Sequence, residues 1–223
     1  QIINRVILIK KANAFKKKNK MTKLNVCETF VSIQGESSFA GLSCFFIRLS
    51  GCNLRCKYCD TTYAYKTGRD VPIADIVAEC RINPTSIIEI TGGEPLLQPR
   101  FPELAIALRD TFKKPILVET NGSLDISIIP EGVITIMDIK CPSSNECEAM
   151  DFTNIKRLHF YDEVKFVLND RNDYNWAKNI IKQYNLHSGG NVVLFSPVSG
   201  SLEASKLGEW IIQDRLPVRL QIQ

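Results

Sequence analysis

Residues 44–60 read CFFIRLSGCNLRCKYCD, and the character of the chain changes twice within them. Cys44 to Leu49 is an aliphatic and aromatic run broken only by Arg48, the composition of a buried strand. A Ser-Gly pair then marks a turn, and three cysteines follow within eight positions: Cys52, Cys56 and Cys59. A strand that ends in a thiol-rich loop suggests an α/β protein whose chemistry collects where parallel strands finish.

The rest of the chain repeats the pattern. Further strand candidates lie at 25–33, 87–91, 116–120, 133–139, 163–168, 192–195 and 218–222, mostly β-branched or aliphatic runs between Gly, Pro, Asn or Asp. Between them, 73–80, 102–111, 173–184 and 202–213 carry apolar residues at helical spacing. Such alternation predicts an α/β fold with about six core parallel strands. Polar segments fall just after strand ends, at 51–61, 92–95, 121, 140–143 and 196–198, so one edge of the sheet gathers the candidate chemistry.

With 44% hydrophobic and 23% charged residues the chain has an ordinary globular balance, and no apolar run approaches the roughly 18 residues of a membrane span. Of 28 basic residues, seven sit in residues 1–20 with no acid among them. The remainder carries 21 basic against 24 acidic residues, which argues against a nucleic-acid-binding body. Residues 1–20 could be a targeting peptide or a basic arm, but Met21, directly before the first strand candidate, reads as the natural start. The expected organisation is therefore a leader at 1–20 outside the fold and one domain at 21–223. Eight cysteines, with no secretory signal, point to thiolate chemistry in a reducing cytoplasm rather than to disulfides.

Three clustered cysteines admit several uses. A structural zinc needs a fourth N or S ligand, which would have to come from an isolated cysteine or from His159 or His187. A cubane iron-sulfur cluster uses three naturally, leaving one iron open to a small molecule. Arg55 and Lys57, between the ligands, would offset the thiolate charge, and Tyr58 would give a flat wall beside the open iron.

The Cys-x3-Cys-x2-Cys spacing, with an aromatic before the last cysteine, resembles the radical S-adenosylmethionine superfamily, and TGGEP at 91–95 resembles its Gly-Gly-Glu motif. Five further stretches are similar to the 7-carboxy-7-deazaguanine synthase subfamily: SIQGE at 32–36, FIRLSGC at 46–52, CDT at 59–61, ETNG at 119–122 and DIKCP at 138–142. The resemblance runs from about Cys27 to the end. It implies an incomplete, open (β/α) barrel and a lyase that contracts 6-carboxy-5,6,7,8-tetrahydropterin to 7-carboxy-7-deazaguanine with loss of ammonia, in queuosine and 7-deazapurine synthesis. It also implies a 4Fe-4S cluster, S-adenosylmethionine, Mg2+, an electron donor such as flavodoxin, and a homodimer, with no direct contact to nucleic acid or membrane.

Site residues follow from the same resemblance. Cys52, Cys56 and Cys59 would hold the cluster and Thr61 the Mg2+. Ile33, Gln34, Gly35, Glu36, Arg48 and Thr91 would contact substrate, with Glu36 at its amino-pyrimidine edge and the Arg48 fork on its carboxylate. Tyr58, Cys59, Asp60, Gly93, Glu94, Lys140, Cys141, Pro142 and Ser143 would surround S-adenosylmethionine, with the glycines letting backbone approach the ligand and Glu94 accepting from its ammonium. No protein side chain is assigned a catalytic role, because the radical comes from the cofactor. Cys27, Cys44 and Cys80 are expected in the core, and Cys141 and Cys147, neither of them at ligand spacing, also read as small buried hydrophobes. The subfamily continues past the strand-like end at 218–222, so the C-terminal part of the pocket is expected to be trimmed. Two rivals remain: an activating enzyme that makes a glycyl radical on a protein partner, which should lack SIQGE and CDT, and a noncatalytic zinc or iron-sulfur module.

Overall fold

A computed structural model describes residues 22–187 and 189–222. The leader expected at 1–20 lies outside the described residues. Nine strands form one sheet: β1 Lys23–Ile33, β2 Ser43–Leu49, β3 Arg69–Pro72, β4 Ile87–Gly92, β5 Ile116–Thr120, β6 Ile134–Asp138, β7 Glu163–Leu168, β8 Val192–Pro197 and β9 Arg219–Leu220. Their order is β3-β1-β2-β4-β5-β6-β7-β8-β9. From β2 to β9 every pairing is parallel, giving six full parallel strands and a two-residue seventh.

The hairpin end of the sheet departs from expectation. β1 pairs antiparallel with both β2 and β3, so it is not one of the parallel strands. Its half-exposed side chains fit that place, because an antiparallel strand can keep one face in water. β3, sequence RDVP, has no apolar run and is held by β1 alone.

Four helices pack on one face of the sheet: α1 Ile73–Ile82, α2 Phe101–Thr111, α3 Arg171–Tyr184 and α4 Ala204–Asp214. Their starts and stops follow local chemistry. The Asp170 carboxylate accepts from Asn172 N at 2.8 Å and Asp173 N at 3.1 Å to open α3, and Asn185, left-handed at φ 51°, closes it.

The period of two then separates core from cavity. In β4, Ile88 and Ile90 point to the helices; in β5, Ile116 and Val118; in β7, Val164, Phe166 and Leu168. The alternate residues face inward. Deep on that side Cys44, Phe46, Ile87, Leu117 and Ile136 form a small apolar floor. Toward the carboxyl ends the inward positions turn polar: Arg48, Glu89, Thr91, Glu119, Asp138 and Lys165. The curled sheet leaves β3 and β9 at separate edges, an incomplete, open barrel with its cavity at the carboxyl end of the strands.

Candidate active site

The cavity has a volume of about 900 Å³ and is walled by the cysteine loop, the strand ends and the segment at 198–201. Cys52, Cys56 and Cys59 all line it, each partly buried and none in a disulfide. Burial pushes the Cys52 thiol up and the Cys56 thiol up to about 11. Among the described residues no three His, Cys, Asp or Glu side chains stand close enough to share a single metal ion. The three thiols border a common space, an arrangement open to three corners of a cubane.

The cysteine loop is braced from two sides. Lys57 N donates to Ser144 O at 3.0 Å and Arg55 N to the Glu146 carboxylate at 2.6 Å, fixing the loop to the turn at 142–146. On the other side Gly93 N donates to Leu49 O at 3.1 Å and Glu94 N to Gly51 O at 2.7 Å. A Cβ on Gly93 would stand 2.2 Å from Gly51 O and 2.9 Å from the Cys52 Cβ. The glycine is thus required by the close approach of this segment to the cysteine loop, while it also lines the cavity.

Several residues expected to touch S-adenosylmethionine brace the loop or lie off the cavity wall. Glu94 is fully buried: Oε1 accepts from Leu96 N at 2.9 Å and Thr120 Oγ1 at 2.8 Å, and Oε2 from Asn121 N at 2.7 Å. The carboxylate staples strand ends and has no place on the cavity wall. Cys141 is fully buried in the core behind β6 and β7, where burial holds its thiol well above the ordinary value. Pro142 and Ser143 begin the turn that supports the loop, with Ser143 N on the Asp173 carboxylate at 3.0 Å. Ile33, expected at the substrate, is 61% exposed at the outer end of β1 and does not line the cavity.

The other expected residues converge on the cavity: Gln34, Gly35, Glu36, Arg48 and Thr91 from the substrate set, Tyr58, Asp60, Gly93 and Lys140 from the cofactor set, and Thr61. Arg48 Nε donates to Glu28 at 2.8 Å, and its guanidinium lies 5.8 Å from the ring centres of both Phe30 and Tyr63. Tyr58 donates to Val167 O at 3.2 Å, which fixes its ring against β7. Thr61 Oγ1 donates to Asp60 Oδ1 at 2.6 Å. Cys44 and Cys80 are buried, as expected, whereas Cys27 is only partly so.

Four further acidic or basic residues in the cavity have no role in the sequence reading: Glu89 and Lys165, and Glu119 and Asp138, which open the ETNG and DIKCP stretches. Lys165, 4% exposed, contacts Glu36, meets Glu119 at 2.8 Å and lies 3.9 Å from Asp138, which also binds Lys140 at 2.7 Å. Burial alone would lower Lys165, but Glu119, Glu36 and Asp138 outweigh it and hold the ammonium well above its ordinary value. Burial alone would raise Glu119, yet Lys165 keeps it below the usual carboxylate range. Glu36 stays raised, by burial that Lys165 only partly offsets and by the negative charge of Glu119. Glu89, bonded to the Gln34 amide, is raised well above the carboxylate range by burial and by those two neighbouring acids. The signal for these residues was present in IIEIT, ILVET, TIMD and EVKFVL, each an apolar strand with charge at an inward position.

Asp138 Oδ1 is buried without a hydrogen-bond partner among the described residues. An acceptor in that condition, on the wall of a polar cavity beside three thiols, fits a bound cofactor that carries donors.

Comparison with known proteins agrees with this geometry. The pattern of the Radical SAM superfamily matches residues 46–197. The chain is 38% identical over 215 residues to a 7-carboxy-7-deazaguanine synthase of Koribacter versatilis, covering 90% of this chain and 94% of the relative. It is 44% identical over 204 residues to that of Chlorobaculum tepidum, covering 90% and 91%. Among solved structures, QueE from Escherichia coli shares the fold with a TM-score of 0.77 at 19% identity, covering 93% of this chain and 97% of the other. Streptococcus suis SuiB, bound to its precursor peptide, gives a TM-score of 0.56 at 13% identity over 78% of this chain and 46% of its own. Relatives this similar along nearly their whole length place the chain in the 7-carboxy-7-deazaguanine synthase family of the radical SAM superfamily.

Proposed function

We propose that the protein converts 6-carboxy-5,6,7,8-tetrahydropterin to 7-carboxy-7-deazaguanine with release of ammonia. The observation that carries this is one cavity that joins three cluster-type cysteines to a carboxylate-rich wall and an arginine fork. A 4Fe-4S cluster held by Cys52, Cys56 and Cys59, with S-adenosylmethionine bound, supplies the radical chemistry. The protein's own side chains bind and orient the pterin. Glu36 and Glu119, both on Lys165, are acceptors for the donor-rich amino-pyrimidine edge. The Arg48 guanidinium, already shaped for a carboxylate by its contact with Glu28, takes the substrate carboxyl group. Glu89, whose pKa burial and the neighbouring acids raise well above the carboxylate range, adds a further polar surface between them.

Mg2+ at Thr61 belongs to the same reading, supported by a hydroxyl and the Asp60 carboxylate side by side on the cavity wall, the oxygen ligands this ion prefers. So do a homodimer, for which exposed Val31, Ile33 and Leu42 offer apolar surface, a flavodoxin-type reductant, and residence in the cytoplasm. Among the described residues no helix is long and apolar enough to cross a membrane.

The test is anaerobic reconstitution followed by incubation with S-adenosylmethionine, dithionite, Mg2+ and the carboxy-tetrahydropterin. About four irons and four sulfides per chain are expected, with 7-carboxy-7-deazaguanine in the products. Cys59→Ala should abolish both cluster and product, and Cys147→Ala neither. An intact cluster that yields no carboxy-deazaguanine refutes the assignment; a single bound zinc in place of iron refutes the cluster.

A further inference from the structure

The turn across residues 34–42 joins β1 to β2 and carries Glu36 to the cavity, and alternate residues of it are held by ionisable side chains of the sheet. Gln34 is buried: its amide N–H donates to the Glu89 carboxylate, and its amide oxygen accepts from Glu36 N at 2.9 Å. The Glu36 carboxylate takes the Lys165 ammonium. Ser38 N donates between the two oxygens of Glu163, at 3.1 and 3.0 Å. Glu163 and Lys165 stand two residues apart on β7, on the face opposite Val164 and Phe166. One strand therefore grips the turn at two points, one on each side of Ser37.

Ser37 shows what the grip holds. Its φ of 65° is left-handed, which a side chain disfavours, and its hydroxyl accepts from Phe39 N at 3.1 Å. A residue in that region keeps its conformation where its surroundings impose it, and Ser37 is itself buried. Glu163 is 2% exposed and lies off the cavity wall, so it meets the turn and not the contents of the cavity. Arg219, from β9, donates to Ser38 Oγ at 2.8 Å, but that bond reaches only a side chain. The bond to Glu163 is made by the backbone and sets the path of the chain two residues from Glu36.

We propose that Glu163 is a positioning residue for substrate binding: through Ser38 N it fixes the turn so that the Glu36 carboxylate stands ready for the amino-pyrimidine edge of the pterin. The inference rests on the reading of Glu36 as an acceptor for that edge. Without an acceptor at this place, Ser38 N must turn outward to water, because a backbone N–H left buried and unpaired is costly. Lys165 then holds Glu36 from one side only, and the turn must be ordered again each time substrate binds. That ordering cost falls on binding. It therefore raises KM and leaves the rate at saturation nearly intact.

The experiment uses the reconstituted protein, steady-state kinetics in the carboxy-tetrahydropterin, and calorimetric binding of 6-carboxypterin, its fully oxidised form. Glu163→Met removes both acceptors at nearly constant volume, and Glu163→Asp draws them back by one methylene; Glu163→Gln keeps an oxygen for Ser38 N. In the Met variant KM and the Kd of 6-carboxypterin should each rise about tenfold, with kcat changed less than about threefold. The Asp variant should move the same way by less, and the Gln variant should stay near the wild type. Iron per chain and the KM for S-adenosylmethionine should not move in any of them. In a Glu36→Gln background, Glu163→Met should add less than about a twofold rise, because its effect passes through Glu36. An unchanged KM in both the Met and Asp variants overturns the proposal, as does the same tenfold rise in the Glu36→Gln background or a Gln variant as impaired as Met. Should the Met variant load no iron, the Asp variant decides on the same terms. A wild type with an intact cluster that neither binds the pterin nor yields deazaguanine refutes the proposed activity and this role with it; an active wild type beside unmoved variants refutes the role alone.

Discussion

The Lys165 ammonium lies 2.8 Å from Oε1 of Glu119, across the intervening strand β6, and the same ammonium also holds Glu36. One cation therefore fixes two carboxylates that approach the cavity from β5 and from the segment after β1. Removing it leaves both acids without their main counter-charge in a poorly solvated place, while Asp138 keeps Lys140 at 2.7 Å. Lys165→Met should destabilise the fold by about 3 kcal/mol, in the range for breaking one partner of a buried pair. The Lys165→Met, Glu119→Gln double variant should recover part of that loss, because one of the two stranded charges is gone and Glu36 alone remains. Urea denaturation of the single and double variants checks this.

Glu89 carries a prediction in pH. Its folded-state pKa is raised by burial and by the charges of Glu119 and Glu36. Such a group favours the fold fully below its unfolded pKa, about 4.5, and that contribution is lost as pH rises through the folded value. Glu89→Gln keeps the size and neutrality while removing the titration. Its melting temperature should match or exceed the wild type at pH 8 to 9, with a flatter decline toward alkali. Thermal melts across pH 6 to 9 decide, and a variant that declines as steeply as the wild type would sink the idea.

What could be read in the residues beforehand depended on where the information lay. β5 and β7 were legible to the residue because ILVET and EVKFVL are closed runs between turn formers. β3 was not, because RDVP has no strand composition and exists only through pairing with β1. In the site, Cys52, Cys56 and Cys59 announce themselves by spacing, whereas Glu94 and Cys141 sit in motif-like stretches that a one-dimensional reading takes for ligand contacts. The Glu94 carboxylate turns onto Leu96, Thr120 and Asn121 and the Cys141 side chain into the apolar core behind the sheet, directions set by tertiary packing. Lys165 was the reverse case: its strand was found, and the charge within it was passed over although a buried lysine must have partners.

Glu94 tests the bracing role directly. Three donors from Leu96, Thr120 and Asn121 point at its two oxygens, so the site accepts and does not donate. Glu94→Gln places an amide N–H against at least one of those donors in a fully buried position. A loss of about 1 to 3 kcal/mol is expected from the mispaired group. If Glu94 instead served only a bound ligand, Glu94→Gln would leave the unliganded protein as stable as the wild type. Denaturation of protein free of cofactor separates the two.

Gly93 makes the same point through volume. A methyl group there would sit 2.2 Å from Gly51 O and 2.7 Å from Gly51 C, both backbone atoms in the residue before Cys52. Neither can move as a side chain does, so the two segments must separate. The hydrogen bonds from Gly93 N to Leu49 O and from Glu94 N to Gly51 O, at 3.1 and 2.7 Å, are the ones placed to break. Because Cys52 is the first residue of the displaced loop, Gly93→Ala should bind less than half the iron of the wild type after identical reconstitution. Far-ultraviolet circular dichroism should change little, since the sheet lies behind the disturbance. Gly190→Ala provides the control: its Cβ meets nothing within 4 Å, so despite a strained φ of 81° it should cost some stability and no iron. Iron content equal to the wild type in Gly93→Ala would show that this close approach is not what positions the cysteine loop.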